Sequence, residues 1–252
     1  MNAAEIQQYW NQRALSQPNT ATTNDIWLRY LEVKTLSHVL FQSQCDARTV
    51  LDIGCGDGLT TIQLAKAFPE AQFVGWDYAP AMIKLARAHA EQQGCKNIIF
   101  QVQDFTEAGA ENFDVVLSCR VIINIPGWDA QDKAISKAIS LGKSFFAIEN
   151  FTDSQALFER ERELNGLPVI RVRDFNTYID PAYLILLANY IGCPITITNF
   201  ANAYYYATRI VYSKLCQLLD VQPDYASPYH QAAAQLNEIS QPRIAPMKLI
   251  SM

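Results

Sequence analysis

Hydrophobic residues fall along this chain in two alternating rhythms. Short apolar runs rich in β-branched residues occupy 49–53, 72–76, 97–102, 113–118 and 144–149. Between them, 60–68, 80–93 and 130–140 carry apolar residues at helical spacing, as in Met82, Leu85, Ala86 and His89. Runs such as Val50-Leu51, Phe73-Val74 and Val115-Val116-Leu117 are nearly unbroken, as strands buried on both faces require. This alternation predicts βαβ units and a parallel sheet.

Ahead of this core, 3–41 reads as two helices broken by polar residues at 16–24. The second starts near Asp25 with Thr23 or Asn24 as its cap. Behind it, 152–165 is a charged amphipathic helix stopped by Gly166, and 181–190 an apolar one stopped by Gly192. Two closing strands are expected at 195–200 and 204–212, too close together for a helical crossover, so the last should run antiparallel. The expected fold is α/β: a Rossmann-like, doubly wound, seven-stranded, mostly parallel sheet with an antiparallel last strand, plus a helical N-terminal lid. The lid covers 1–44 and the core 45–212, with a substrate insertion at about 150–192. A helical extension and tail take up 213–252.

Half of the 252 residues are hydrophobic and 18% are charged, an ordinary globular balance. The net charge of −5 and the lack of a Lys/Arg run argue against a nucleic-acid partner. No basic stretch followed by an apolar run opens the chain, and no apolar stretch is long enough for a bilayer. Six scattered cysteines, Cys45 among them, show neither CxxC pairs nor zinc spacing. Reduced thiols in a cytoplasmic protein are the expectation.

Chemistry enters at Val50-Leu-Asp-Ile-Gly-Cys-Gly-Asp-Gly58, where a strand meets three glycines at alternate positions and a helix follows at once. Glycine lets the backbone turn tightly and approach a ligand. The spacing is GxGxG, not the GxGxxG of dinucleotide sites, and Leu59 stands where the third dinucleotide glycine would be. The next strand ends in Asp77, placed to accept hydrogen bonds from ribose hydroxyls, and the third ends near Gln103-Asp104-Phe105.

This ordered set, Leu51-Asp-Ile-Gly-Cys-Gly-Asp-Gly58, Asp77, Gln103-Asp104 and Phe113-Asp114-Val-Val, resembles the successive motifs of class I methyltransferases that use S-adenosylmethionine (SAM). The likeness covers about residues 48–212. It implies that Gly54, Cys55 and Gly56 line the methionine part of SAM and that Asp77 holds the ribose. Tyr78 and Met82 would lie beside the adenine, Asp104 would meet its amino group, and Phe105 would lie against the ring. Cys119 and Arg120 would bring backbone near the sulfonium. Asp52 either joins this site or ties the glycine loop, and Asp57 either touches ligand or caps the next helix. Arg29 is a candidate fork for the SAM carboxylate, with Tyr9 and Trp27 closing over the cofactor.

For the acceptor, Glu149-Asn150 ends the fifth strand beside the expected methyl position, and both are candidate catalytic residues. Glu149 is the first candidate base for a neutral hydroxyl, with Asp129 behind it; an anionic acceptor needs no base. None of His38, His89 and His230 falls in a strand-end loop. Asn124, Asn176, Tyr178, Tyr205 and Arg209 are candidate substrate ligands. Arg160 and Arg162 either join them or pair with Glu159, Glu161 and Glu163, and Arg171 and Arg173 follow in the same run. The runs Arg120–Asn124 and Leu167–Ile170 also resemble methyltransferases encoded with surface-polysaccharide enzymes, which implies a glycan or sugar-phosphate acceptor. A non-catalytic SAM- or nucleotide-binding module and a methyltransferase of another small metabolite are the alternatives.

Overall fold

A computed structural model describes residues 1–42, 48–237 and 247–252. The expected lid–core boundary at 44/45 and Cys45 lie outside the described residues. Helix α1 (Ala3–Ser16) opens on a capping box between Asn2 and Glu5, and α2 (Ile26–Gln42) follows a polar turn. Asp25 caps α2, its carboxylate accepting from the Leu28 N–H at 3.0 Å. The expected cap Thr23 instead accepts from the Asp25 N–H at 3.1 Å, so the two residues divide the capping between them.

The core runs β1 (Thr49–Ile53), α3 (Leu59–Ala67), β2 (Gln72–Asp77), α4 (Pro80–Gln92), β3 (Ile98–Val102), β4 (Phe113–Cys119), α5 (Trp128–Ser140) and β5 (Gly142–Asn150). All five strands are parallel. Alternate residues serve opposite faces, as the pleat dictates. Val50, Val115, Leu117 and Ile148 pack on one side with α2, while Leu51, Ile53, Val116 and Ala147 pack on the other with α5.

After β5 come α6 (Thr152–Leu164), α7 (Pro181–Ile191) and the edge strand β6 (Thr196–Asn199). The seventh strand is not at 204–212. That segment is helical: α8 (Asn202–Tyr205), a π-helical stretch Tyr206–Tyr212 and α9 (Ser213–Leu218). Its aromatic and β-branched residues suit a strand by composition, yet tertiary packing decides. Tyr204 and Tyr205 of α8 are buried, and Thr208, Arg209 and Ile210 turn inward in the wider π spacing that follows. The last strand is instead β7 (Met247–Ser251), which follows α10 (Pro228–Leu236) and comes from the expected tail. It inserts between β5 and β6, antiparallel to both, giving the order β3-β2-β1-β4-β5-β7-β6. The sheet is therefore seven-stranded and mostly parallel with an antiparallel last strand. Strand order reverses between β1 and β4, and ligands of open α/β sheets bind at the carboxyl ends of strands beside that reversal. Among the described residues no helix is long and apolar enough to cross a membrane.

Candidate cofactor and acceptor site

A cavity of about 490 Å³ opens at those carboxyl ends, within the roughly 300–1,000 Å³ typical of small-molecule sites. Its floor is the turn after β1. Gly54 and Gly56 have φ of +64° and +54°, where side chains are strained. A Cβ on Gly54 would sit 2.5 Å from Val121, and one on Gly56 2.5 Å from Thr22. These glycines bring backbone to the cavity surface where nothing larger fits.

Asp77 ends β2 and is 8% exposed. Its carboxylate accepts from the Gly56 N–H at 3.0 Å and the Ala79 N–H at 2.8 Å. Burial, with Asp57 and Asp104 nearby, pushes its pKa up to about 6 against the pull of those two N–H groups. Asp104 caps the short 3₁₀ turn Phe105–Glu107 through the Thr106 N–H. Tyr78, Met82, Asp104 and Phe105 line the same end of the cavity. Helix α1 closes it from above with Ala3, Ile6 and Trp10. That helix is tied down where the Gln7 side chain donates to the Tyr78 carbonyl at 2.6 Å and Asn11 accepts from the Ala81 N–H at 2.9 Å.

The other end is built by the segment after β4 and the loop between α6 and α7. Arg120 lies at φ +57°, rare for a side-chain-bearing residue. Its guanidinium pairs with the buried Glu32 of α2 at 3.0 Å. Cys119, Asn124, Asn150, Asn176, Tyr178 and Tyr205 line this end. The Asn176 amide donates to the Asn124 side-chain oxygen at 2.8 Å, joining the two walls.

Five expected site residues stand outside the lining. Arg29 pairs with Asp57 at 3.0 Å and donates to Thr22 at 2.6 Å; a buried guanidinium takes the nearest carboxylate, so it positions Thr22, which does line the cavity. Asp57 is not among the lining residues, and besides Arg29 and Thr22 it accepts from the Leu59 N–H at the start of α3 at 3.3 Å. Asp52 is buried against the Thr61 hydroxyl at 2.5 Å, and burial raises its pKa to about 7. Cys55 is buried beneath the glycine turn, with its Sγ facing Gly75. Arg209 binds Asp25 within a cage of Tyr204, Tyr205 and Tyr225, of which Tyr205 lines the cavity while Arg209 itself does not.

Glu149 is fully buried. It accepts from Ser118 Oγ at 3.0 Å and from the Val121, Ile122 and Ile123 N–H groups at 2.9, 3.0 and 3.4 Å. Burial raises its pKa to about 7 while the three N–H groups oppose the rise. Asp129 is exposed on the first turn of α5. Arg162 is buried and donates to the Pro168 and Arg209 carbonyls, whereas Arg160 is exposed. Tyr9 and Trp27 also stand outside the lining, the first against Trp10 and Phe175, the second against Tyr30. Sequence reasoning passed over Trp10, Thr22 and Met247, which do line the cavity. Only Thr22 left a trace, in the density of hydrogen-bonding groups at 20–29.

The fold is Rossmann-like, with acidic residues gathered at the β2 and β3 ends of its cavity. Asp57, Asp77 and Asp104 lie close enough to raise the Asp77 pKa, a field that suits a cationic ligand. The tight glycine floor and a ribose-height carboxylate fit SAM. A family described as "Methyltransferase domain" matches residues 45–179. A ubiquinone biosynthesis O-methyltransferase of Coxiella burnetii is 30% identical over 184 residues, 71% of this chain and 73% of that protein. A release factor glutamine methyltransferase of Geobacter sulfurreducens is 40% identical over 72 residues, 29% of this chain and 25% of that protein. In fold, the chain is similar to a magnesium protoporphyrin IX methyltransferase from Synechocystis PCC 6803 solved with bound S-adenosylhomocysteine (SAH). The TM-score is 0.60 at 19% identity, covering 79% of this chain and 94% of that one. The chain belongs to the methyltransferase domain family. It is a SAM-dependent methyltransferase.

The Asp77 carboxylate accepts more strongly when ionised than when protonated, so SAH affinity is expected to be flat above about pH 7. It should fall as the pH drops through about 6, where Asp77 takes up its proton. Calorimetry between pH 5 and 8 checks this, and Asp77→Asn should flatten the profile. An affinity independent of pH in the parent chain would contradict it.

Proposed function

We propose that the chain transfers the SAM methyl group to an oxygen of a small-molecule or glycan-linked acceptor, sugar phosphates included. The observation that carries this reading is the acceptor end of the cavity. Three asparagine amides and two phenols, Asn124, Asn150, Asn176, Tyr178 and Tyr205, line it together, a set that recognises hydroxyl and ester oxygens. The likeness to a ubiquinone biosynthesis O-methyltransferase favours oxygen as the nucleophile.

When bound, SAM supplies an electrophilic methyl group on a sulfonium. The chain's own contribution is alignment, because in-line attack needs the two partners held at near-attack distance. Asp77 fixes the ribose, the glycine floor fixes the methionine arm, and Trp10 and Ile6 exclude water from above. Asn150 at the end of β5 and the Asn124–Asn176 bridge orient the acceptor. We assign Glu149 to positioning. Its carboxylate gathers three consecutive N–H groups at the start of the 3₁₀ turn Ile122–Asn124. It thereby holds Arg120 to Asn124 in the shape that lines the cavity.

Glu149→Gln turns one acceptor oxygen into a donor facing donors. The expected result is a lower melting temperature with an unchanged pH profile of turnover. A drop of about 10²–10⁴ in kcat with unchanged melting would restore the base role. The acceptor class is tested by incubating methyl-labelled SAM with a host-cell extract and fractionating the products. Label is expected in small-molecule or glycan fractions. Label confined to protein, RNA or lipid would contradict the proposal.

A further inference from the structure

Few charged residues line the cavity. Among the described residues the lining carboxylates are Asp77 and Asp104, both at the end assigned to the nucleoside. The lining cations are Arg120, Arg171 and Arg173, and no lining residue is a histidine. Arg120 is matched by Glu32 at 3.0 Å, and Arg171 lies 3.5 Å from the exposed Asp174. Arg173 differs. It has no carboxylate within ion-pair distance among the described residues, and its guanidinium lies over the Tyr9 and Trp10 rings at 5.7 and 5.4 Å.

Ring faces hold a guanidinium in place but leave its edge and its five donors available. Arg173 is exposed while still lining the cavity, and a guanidinium keeps its proton in a protein, so its donors are open to an anion that enters the cavity. The same end offers no free base. Glu149 is saturated by four donors behind the wall, and Asp129 is exposed on α5. An acceptor hydroxyl must give up a proton on transfer, whereas an anionic oxygen needs no base.

We propose that the reacting group is a carboxylate of the acceptor, seated on the free edge of Arg173, and that the product is a methyl ester. The inference rests on the methyltransferase reading above and narrows its acceptor. A planar carboxylate matches the guanidinium fork with two parallel hydrogen bonds, leaving a lone pair on one oxygen for attack. That pair forms the new O–CH₃ bond as the methyl–sulfur bond breaks. The bonding electrons stay on sulfur, so carboxylate and sulfonium charges cancel and no proton moves.

Methyl esters and ethers part company in alkali. The wild-type chain, methyl-labelled SAM and a host-cell extract are combined, and the labelled products are treated with mild hydroxide. Release of most of the label as volatile methanol is expected. Label that survives alkali, as in an ether, an N-methyl group or a methyl phosphodiester, overturns the carboxylate while methyl transfer itself stands. A chain that binds SAH yet labels nothing would overturn both readings. Arg173→Gln separates the acceptor's carboxylate from that of the cofactor. Alkali-labile label should fall about tenfold or more with calorimetric SAH affinity unchanged. Undiminished labelling, or an equal loss of SAH affinity, would take Arg173 out of the acceptor seat.

Discussion

Asp77→Ala is expected to weaken SAH binding tenfold or more in a chain that still folds. The carboxylate at the end of β2 is the charged acceptor available to the ribose, and hydrogen bonds to a charged group contribute about 1.5–3 kcal/mol. A tenfold change in affinity corresponds to about 1.4 kcal/mol. The substitution also frees the Gly56 N–H, which Asp77 holds at 3.0 Å, so the glycine floor loosens as the ribose contact is lost. Folding should survive, because burial disfavours the Asp77 charge, raising its pKa to about 6, and its removal relieves that penalty. Calorimetry on the folded variant checks the effect; unchanged affinity would remove Asp77 from the site.

The second large effect falls on stability, at a buried ion pair behind the lining residue Tyr205. Arg209→Ala is expected to destabilise the chain by about 3–5 kcal/mol, the range for stranding one member of a buried ion pair. Asp25 accepts from the Leu28 N–H at 3.0 Å, the Tyr204 hydroxyl at 2.5 Å and Arg209. Both partners are buried, at 4% and 9% exposure. Burial opposes ionisation of Asp25, yet the Arg209 charge and its hydrogen bonds hold the carboxyl below its usual range. Without Arg209 the carboxylate at the start of α2 is left uncompensated. Denaturant unfolding measures the loss, and the double variant Asp25→Leu/Arg209→Met should lose less than Arg209→Ala. A single variant as stable as the parent would dissolve the pair's structural role.

These two residues show where sequence reading reached and where it stopped. The place of Asp77 at the cavity was legible from a local mark: an acid at the end of the second β-run, following a glycine turn of distinctive spacing. The parallel strands were legible from their apolar runs, most clearly β1 and β4, where burial on both faces leaves the run nearly unbroken. Arg209 read as an acceptor ligand because its partner, Asp25, lies 184 residues away, a separation that no local pattern reveals. Glu149 was placed correctly at the end of β5, but its four donors come from Ser118 and the turn at 121–123, so its burial was invisible. Arg29 suffered likewise from Asp57. The seventh strand shows the same limit. Tyr204–Tyr212 has strand composition but coils around a buried charge pair, while Met247–Ser251 completes the sheet from a segment with little pattern of its own.

The central claim is that the glycine turn and Asp77 select SAM over a dinucleotide, and parallel titration calorimetry with SAH and NAD tests it most directly. Saturable single-site binding of SAH, with no measurable heat from NAD, is the predicted result. Saturable NAD binding with no response to SAH would contradict it.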